Sequence, residues 1–396
     1  MKTTQKPLQI AIVGGGIGGL TAAVALWKAG LQVAVFEQAQ QFTELGAGIG
    51  LGANAALVLN RLGLKEQIES IQTPVRSFSL HTWKGEAVNK LNLAATSSMF
   101  NTSPMHRADL LKVLHDALPP QIPHAGKKCV AFQQDDTGVQ LSFADGSTFM
   151  ADAIIAADGI HSLFRNTFHT DQPVFANQIA YRGLIPMERL AHSGLDEEIQ
   201  QFTMWMGPYR HFLIYPISRG RLMNVVAFVP PESSWRVESW TAEGDVKQLA
   251  TEFRDWDEKV TRVISKLDTT LRWALYDREP LDFWGVGRVT LLGDAAHAML
   301  PHQGQGAGQS IEDAAFLARC LQQATHETIP QWLRFYEEQR KARTTKVQQT
   351  TRVAGQLYDL PDHEIERRGE RFSLAERMQW LFNYDVDQAF DEALAQ

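Results

Sequence analysis

Apolar and polar positions follow two rhythms along this chain. Near the start, Leu8 to Val13 is a short β-branched apolar run; glycines follow, then Leu20 to Ala29, helical in composition and closed by Gly30 in the usual C-terminal position. Gln32 to Phe36 is a second apolar strand. The pattern predicts a β-α-β unit within about thirty residues, the minimum for a parallel sheet.

Further on, Arg107 to Leu118 reads as a helix with Leu110, Leu111, Val113, Leu114 and Leu118 on its apolar face. Cys129 to Ile155 alternates short strands with the turn signals Asp136-Thr-Gly138 and Ala144-Asp-Gly146, as a small antiparallel meander does. From about Asn177 to Trp284 the rhythm changes to short β-rich segments, such as His211 to Ile217 and Asn224 to Val229, with Trp-rich interruptions and a helical piece near Val246 to Phe253. Val289 to Leu292 restores the first strand style, and Ser310 to Gln323 and Pro330 to Leu357 are long helices. The expected fold is α/β, a nucleotide-binding domain interrupted by a β-sheet substrate module. Residues 1–75, 100–176 and 285–345 form the first, 76–99 and 177–284 the second, and 346–396 a C-terminal helical region, in which Pro361 to Gln396, helical and amphipathic in part, either covers the active site or forms an interface.

With 396 residues the chain buries a sizeable core, and 38 Lys+Arg against 45 Asp+Glu is mildly acidic with no basic run. Nucleic acid and anionic membranes are therefore not expected partners. The two cysteines, Cys129 and Cys320, are far apart, which suits a reducing compartment and two core residues rather than a disulfide or thiolate metal site. Leu8 to Val13 is too short for a signal or membrane segment, so a cytoplasmic protein, monomer or homodimer, is the expectation.

Gly14-x-Gly16-x-x-Gly19 has dinucleotide-fingerprint spacing and lies between a strand and a helix. Gly14 permits the tight turn, Gly16 lets backbone approach a pyrophosphate, and Gly19 allows helix to pack on sheet. The helix N-terminus offers unpaired N–H groups to phosphate. Glu37, 23 residues after Gly14, ends the second strand where an adenosine ribose needs an acceptor. These features alone leave NAD and FAD open.

Two later segments discriminate: Ala153-Ile-Ile-Ala-Ala-Asp158-Gly159-Ile-His161-Ser162-x-x-Arg165, and Val289-Thr-Leu-Leu-Gly293-Asp294-Ala-Ala-His297-Ala-Met-Leu-Pro301. With the glycine motif they resemble the three signatures of the single-component FAD-dependent aromatic hydroxylases, whose fold is of the para-hydroxybenzoate hydroxylase type. The branch that includes salicylate, 3-hydroxybenzoate and 6-hydroxynicotinate hydroxylases is similar at Leu45 to Asn54, at His106-Arg107-Ala-Asp109 and at Pro301 to Asp313. The likeness runs from about residue 8 to residue 345.

The resemblance implies FAD held by Gly14, Gly16, Gly19, Glu37, Gly48, Arg107, Val130, Asp158, Asp294, Gly306 and Ala307. Taken singly, Asp158-Gly159 reads more readily as a turn and Arg107 as a solvated helix start; together, in this order, the functional reading prevails. NAD(P)H, with NADH favoured, is implied as a transient cosubstrate, since no second GxGxxG unit follows. It also implies O2 captured as a flavin C4a-hydroperoxide and transferred to a small hydroxylated aromatic or heteroaromatic carboxylate. Gly304 to Gly308 precedes a helix expected near Gln309, whose dipole favours an anionic reduced flavin.

Read as a strand, His211, Leu213 and Tyr215 share a face. In the resembling 6-hydroxynicotinate enzymes a His and a Tyr so spaced line the pocket, with a further His after the proline, here His302. His302 is the candidate base, and His211 and Tyr215 orient the ring substituents. The structural alternative for His211 and Tyr215 is a half-buried strand pair with hydrogen-bonded tips. His297 is read as a packing residue beside the flavin. Gly50 departs from relatives that carry a larger polar residue, histidine among them, which implies a roomier or different pocket. Two other functions stay open: a tailoring hydroxylase or epoxidase of a larger quinone, polyketide or alkaloid, and a non-catalytic binding protein on an FAD fold.

Overall fold

A computed structural model describes residues 7–42, 47–75, 77–92, 103–231, 235–237, 242–361, 364 and 379–396. The first apolar runs pair as a parallel sheet. Gln9–Val13 lies between Gln32–Phe36 and Ala153–Ala156, with Ile10 opposite Val33 on one side and Ala153 on the other. Val289–Leu291 adds a further parallel strand, Gly285–Val286 closes that edge in antiparallel, and Pro123–His124 closes the opposite edge. Ile10, Ile12, Ile154 and Leu291 are fully buried, and strands covered on both faces need no polar alternation, which is why they read as unbroken apolar runs. Helix Ile17–Lys28 packs against this sheet and against helix Gly306–Gln323, and Gly30, at φ +90°, ends it.

Beside this sheet Cys129–Asp135, Gly138–Phe143 and Thr148–Ala151 form the antiparallel meander. An eight-stranded sheet makes the second layer. Its order is Glu243–Gly244, Thr270–Asp277, Val174–Pro186, Leu222–Val229, Arg210–Ile217, Phe202–Gly207, Ser77–Thr82 and Ala87–Asn92. Phe212 and Ile214 turn to one face, into a core with Leu249 of helix Val246–Glu252 and Val260 of helix Glu258–Ile264. Leu213 and Tyr215 turn to the opposite face, toward the first sheet, as the two-residue period requires.

Two features tie the layers together. Gly48, on the short strand Gly48–Leu51, donates its N–H to Asn224 Oδ1 at 2.8 Å, and a Cβ on Gly48 would stand 2.6 Å from Asn224 Cγ. A side chain at Gly48 would displace the Asn224 side chain that makes this bond. The helix Ile329–Tyr358, 30 residues and about 45 Å long, runs along both layers. Its Tyr336 hydroxyl donates to Leu291 O, Gln348 donates to Ala298 O and Arg278 O, and Arg352 pairs with Asp277 at 2.6 Å.

Three expectations are corrected. The helix expected near Gln309 begins at Gly306, so Gly306 and Gly308 lie in its first turn and only Gly304, at φ +62°, and Gln305 precede it. First-turn N–H groups have no intrahelical acceptor, so glycine costs little there and clears the approach to those donors. Cys129 is half-buried rather than core, because its strand is an edge of the meander facing a cavity; Cys320 is buried. Helix Glu258–Ile264 was not expected in the Trp-rich stretch. In the C-terminal region Val386–Leu394 is an amphipathic helix held by Arg61 and Arg319 on Asp387, while residues 362–363 and 365–378 lie outside the described residues, as do 43–46 of the Leu45 segment.

Candidate active site

The C-terminal ends of the parallel strands open on a cavity of about 1640 Å³ that continues between the two layers to the eight-stranded sheet. Pockets for a single drug-sized ligand measure roughly 300–1,000 Å³. The space therefore suits a dinucleotide together with a ring-sized substrate.

At one end the glycine turn forms the wall. Gly14 has φ +107°, and a Cβ there would meet Ala157 O at 2.2 Å; a Cβ on Gly19 would meet Gly14 O at 1.9 Å. Gly16 has nothing within 4 Å of its Cβ position, so its backbone is open to the cavity. Gly14 and Gly16 line the space, whereas Gly19 stands behind them as a packing residue. Glu37 is fixed at the strand end by Gly15 N and Ala39 N, each 2.7 Å from one of its oxygens. Val130 and Cys129 line the same cavity, and burial raises the Cys129 thiol to about 11, so it is not a thiolate nucleophile.

Midway, Gly48, Arg107, Asp158 and Asp294 line the cavity, with Gly306 and Ala307 at the helix N-terminus. Arg107 opens helix Arg107–Asp116, anchored where its N–H meets Ala47 O. Asp158 accepts from Leu163 N at 2.8 Å through Oδ2, while its Oδ1 is buried without a protein partner. Burial raises its pKa against the hydrogen bonds that lower it. His297 does not reach the cavity; it is buried with Nε2 2.6 Å from Asp313, which Arg340 also holds.

At the far end Leu213, Val226, Phe228 and Trp273 make an apolar chamber into which Arg182, Tyr215 and His302 project. The Arg182 guanidinium carbon lies 4.3 Å from the Trp273 ring centroid. Burial lowers its pKa to about 10, which leaves it a cation at neutral pH. Burial pushes the Tyr215 phenol up to about 12, with Arg182 opposing, so Tyr215 is a neutral donor. His302 falls well below the usual histidine value through burial first and His211 second. His211 stands behind the chamber wall rather than on it, stacked on Phe228 at 4.1 Å with its ring centroid 5.2 Å from that of His302. Gly50 is part of the cavity wall.

Arg182, Trp273, Gly355 and Asp359 were not identified from sequence. Arg182 had a signal: a lone arginine inside the apolar strand residues Ile179-Ala-Tyr-Arg-Gly-Leu-Ile185 is a charge needing a purpose. The others have none, since their proximity arises from strand register and from the end of a helix.

The donor set fits FAD. Glu37 lines the cavity at the end of the second strand, Gly16 leaves backbone open to it, one buried Asp158 oxygen has no protein partner, Asp294 lies on the cavity wall, and the Gly306 helix end faces the middle of the cavity. Residues 7–351 match the family model of an FAD binding domain. The chain is 38% identical over 393 residues to a 3-amino-4-hydroxybenzoate 2-monooxygenase of Streptomyces platensis, covering 97% of this chain and 98% of that one. A salicylate hydroxylase of Pseudomonas putida is 35% identical over 420 residues, covering 100% of this chain and 96% of that one. Among solved structures, a salicylate hydroxylase substrate complex superposes with a TM-score of 0.85 at 33% identity, covering 98% of both chains. The chain therefore belongs to the FAD-dependent aromatic hydroxylases, monooxygenases of the FAD binding domain family, and FAD is its cofactor.

Proposed function

We propose that this protein hydroxylates a small aromatic carboxylate that already carries a ring hydroxyl, consuming O2 and NAD(P)H. The observation that carries the reading is Arg182, a protonated guanidinium beside Tyr215 and His302 in an apolar chamber continuous with the nucleotide cradle. When bound, FAD accepts reducing equivalents from NAD(P)H and activates O2.

Arg182 pairs with the substrate carboxylate, and its stacking on Trp273 holds the fork in place. Tyr215 donates its Oη proton to a second polar substituent. His302 accepts the ring-hydroxyl proton at an imidazole nitrogen, which raises electron density at the ring carbon to be hydroxylated. Leu213, Val226 and Phe228 exclude water that would otherwise divert activated oxygen to peroxide. Relatives named for 3-amino-4-hydroxybenzoate and for salicylate support an aromatic acid that carries a ring hydroxyl.

The test is a panel of salicylate, 3-hydroxybenzoate, 4-hydroxybenzoate and 6-hydroxynicotinate against phenol, followed by NADH oxidation and product analysis on the holoenzyme. At least one acid should accelerate NADH oxidation and yield a hydroxylated product while phenol does neither. A panel in which no acid does so, with stimulation by larger quinones instead, would overturn the reading.

A further inference from the structure

The chamber walls around Leu213, Val226, Phe228 and Trp273 are apolar, so a proton released there needs polar groups to carry it away. His302 lines the chamber, is 8% exposed, and its Nδ1 is buried without a protein partner. Behind it His211 is 1% exposed, and its Nε2 likewise has no partner. The His211 Nδ1 is different: it lies 2.8 Å from Asp359 Oδ1, and the Asp359 side chain is 20% exposed. Asp359 is further fixed by Gln178, which donates to Oδ2 at 2.7 Å, and by Tyr209 N, which donates to its carbonyl oxygen at 2.9 Å.

Asp359 is the C-cap of the long helix. A carboxylate there opposes the helix dipole and costs about 0.3–1 kcal/mol. It does nothing for the helix that carries it. Its hydrogen bond to a buried histidine supplies a reason for its position, because a carboxylate acceptor puts the imidazole proton on Nδ1 and leaves Nε2 as an acceptor.

We propose that Asp359 is a positioning residue for a proton exit, in which the substrate's ring-hydroxyl proton passes from His302 through His211 to Asp359 and solvent. The proposal rests on the hydroxylase reading above. In the first hop the O–H bond of the substrate breaks and an N–H bond forms on His302. In the second His302 releases that proton, directly or through one water, to His211 Nε2 while the Nδ1 proton moves to Asp359 Oδ1. Asp359 then releases it to water, and no electrons change hands. The titratable groups facing the route are Tyr358 from the long helix, with ring centroids 5.3 Å from His211 and 6.3 Å from His302, and the two histidines themselves.

The experiment compares holoenzyme and Asp359→Asn on two substrates: the best acid of the panel, and a ring-fluorinated analogue whose hydroxyl is already ionised at the assay pH. Asn keeps a side-chain acceptor for His211 Nδ1 but removes the proton sink. The expected result is a loss of about tenfold or more in hydroxylated product per second for the parent acid, and wild-type turnover of the analogue, which has no hydroxyl proton to export before its ring is attacked. A merely structural role for Asp359 depresses both substrates alike; that outcome, or wild-type turnover of the parent, would overturn the exit. If Asp359→Asn loses FAD, the same comparison is made with His211→Gln, where the same selective loss is expected and an equal loss on both substrates contradicts the route. Wild-type protein that hydroxylates neither substrate sinks the hydroxylase reading itself, and the exit with it.

Discussion

A single charge in an apolar strand carries the substrate reading, and it separates two kinds of binding energy. Arg182→Met should raise KM for a carboxylate substrate about tenfold to a hundredfold, the range of 1.5–3 kcal/mol for a hydrogen bond to a charged group, without altering the flavin absorbance. Equal KM values in both proteins would remove Arg182 from the substrate site. Glu37→Gln should act at the other end of the cavity, weakening FAD about tenfold with no change in substrate preference, as measured by FAD titration of apoprotein. The cradle was legible in sequence because Gly14, Gly16, Gly19 and Glu37 lie within one local β-α-β unit. Arg182, Trp273 and Asp359 were not, because strand register across Val174–Pro186 and Thr270–Asp277 brings the first two to the chamber, and the end of a distant helix brings Asp359 to His211 behind its wall.

Among the elements, the long helix does more than brace two layers. Its Gly355 stands under His302, where an added Cβ would lie 2.6 Å from the imidazole Cδ2 and Nε2. Overpacking costs about 1–3 kcal/mol, whereas alanine gains roughly 1 kcal/mol over glycine within a helix. These terms largely offset, so Gly355→Ala should leave Tm close to wild type. Activity should nevertheless fall about tenfold through displacement of the His302 ring. A variant with wild-type kcat would show that the ring position does not matter. The pattern of apolar positions located this helix but carried no sign of that contact, since one glycine in a 30-residue helix has no distinguishing periodicity. The Gly306 helix shows the converse: sequence singled out its glycines, and Gly306 does line the cavity, but the helix start was put too late, because first-turn glycines look like loop.

Across the whole molecule, burial of His302 links function to pH. Its folded pKa lies well below the value of about 6.5 expected when unfolded, so the unfolded chain takes up the proton first as pH falls. The stability this neutral histidine permits is present above about pH 6.5 and is lost progressively below it. His81 and His124 are also depressed by burial and act in the same direction. The diagnostic is therefore a difference: the drop in Tm from pH 7 to pH 5 should be smaller in His302→Gln than in wild type. The same variant should lose most of its hydroxylation while retaining FAD. An unchanged Tm difference would mean that His302 is not held neutral by the fold.

The central claim is that one cavity brings FAD and a small aromatic acid together so that oxygen reaches the ring. Turnover of the best acid of the panel under 18O2, with NADH limiting, tests it most directly. One labelled oxygen atom should appear in the product ring for each NADH consumed, and the Arg182→Met protein should form far less of that product at the same substrate concentration. NADH oxidation that yields only hydrogen peroxide with every acid, or product bearing oxygen from water, would contradict the account.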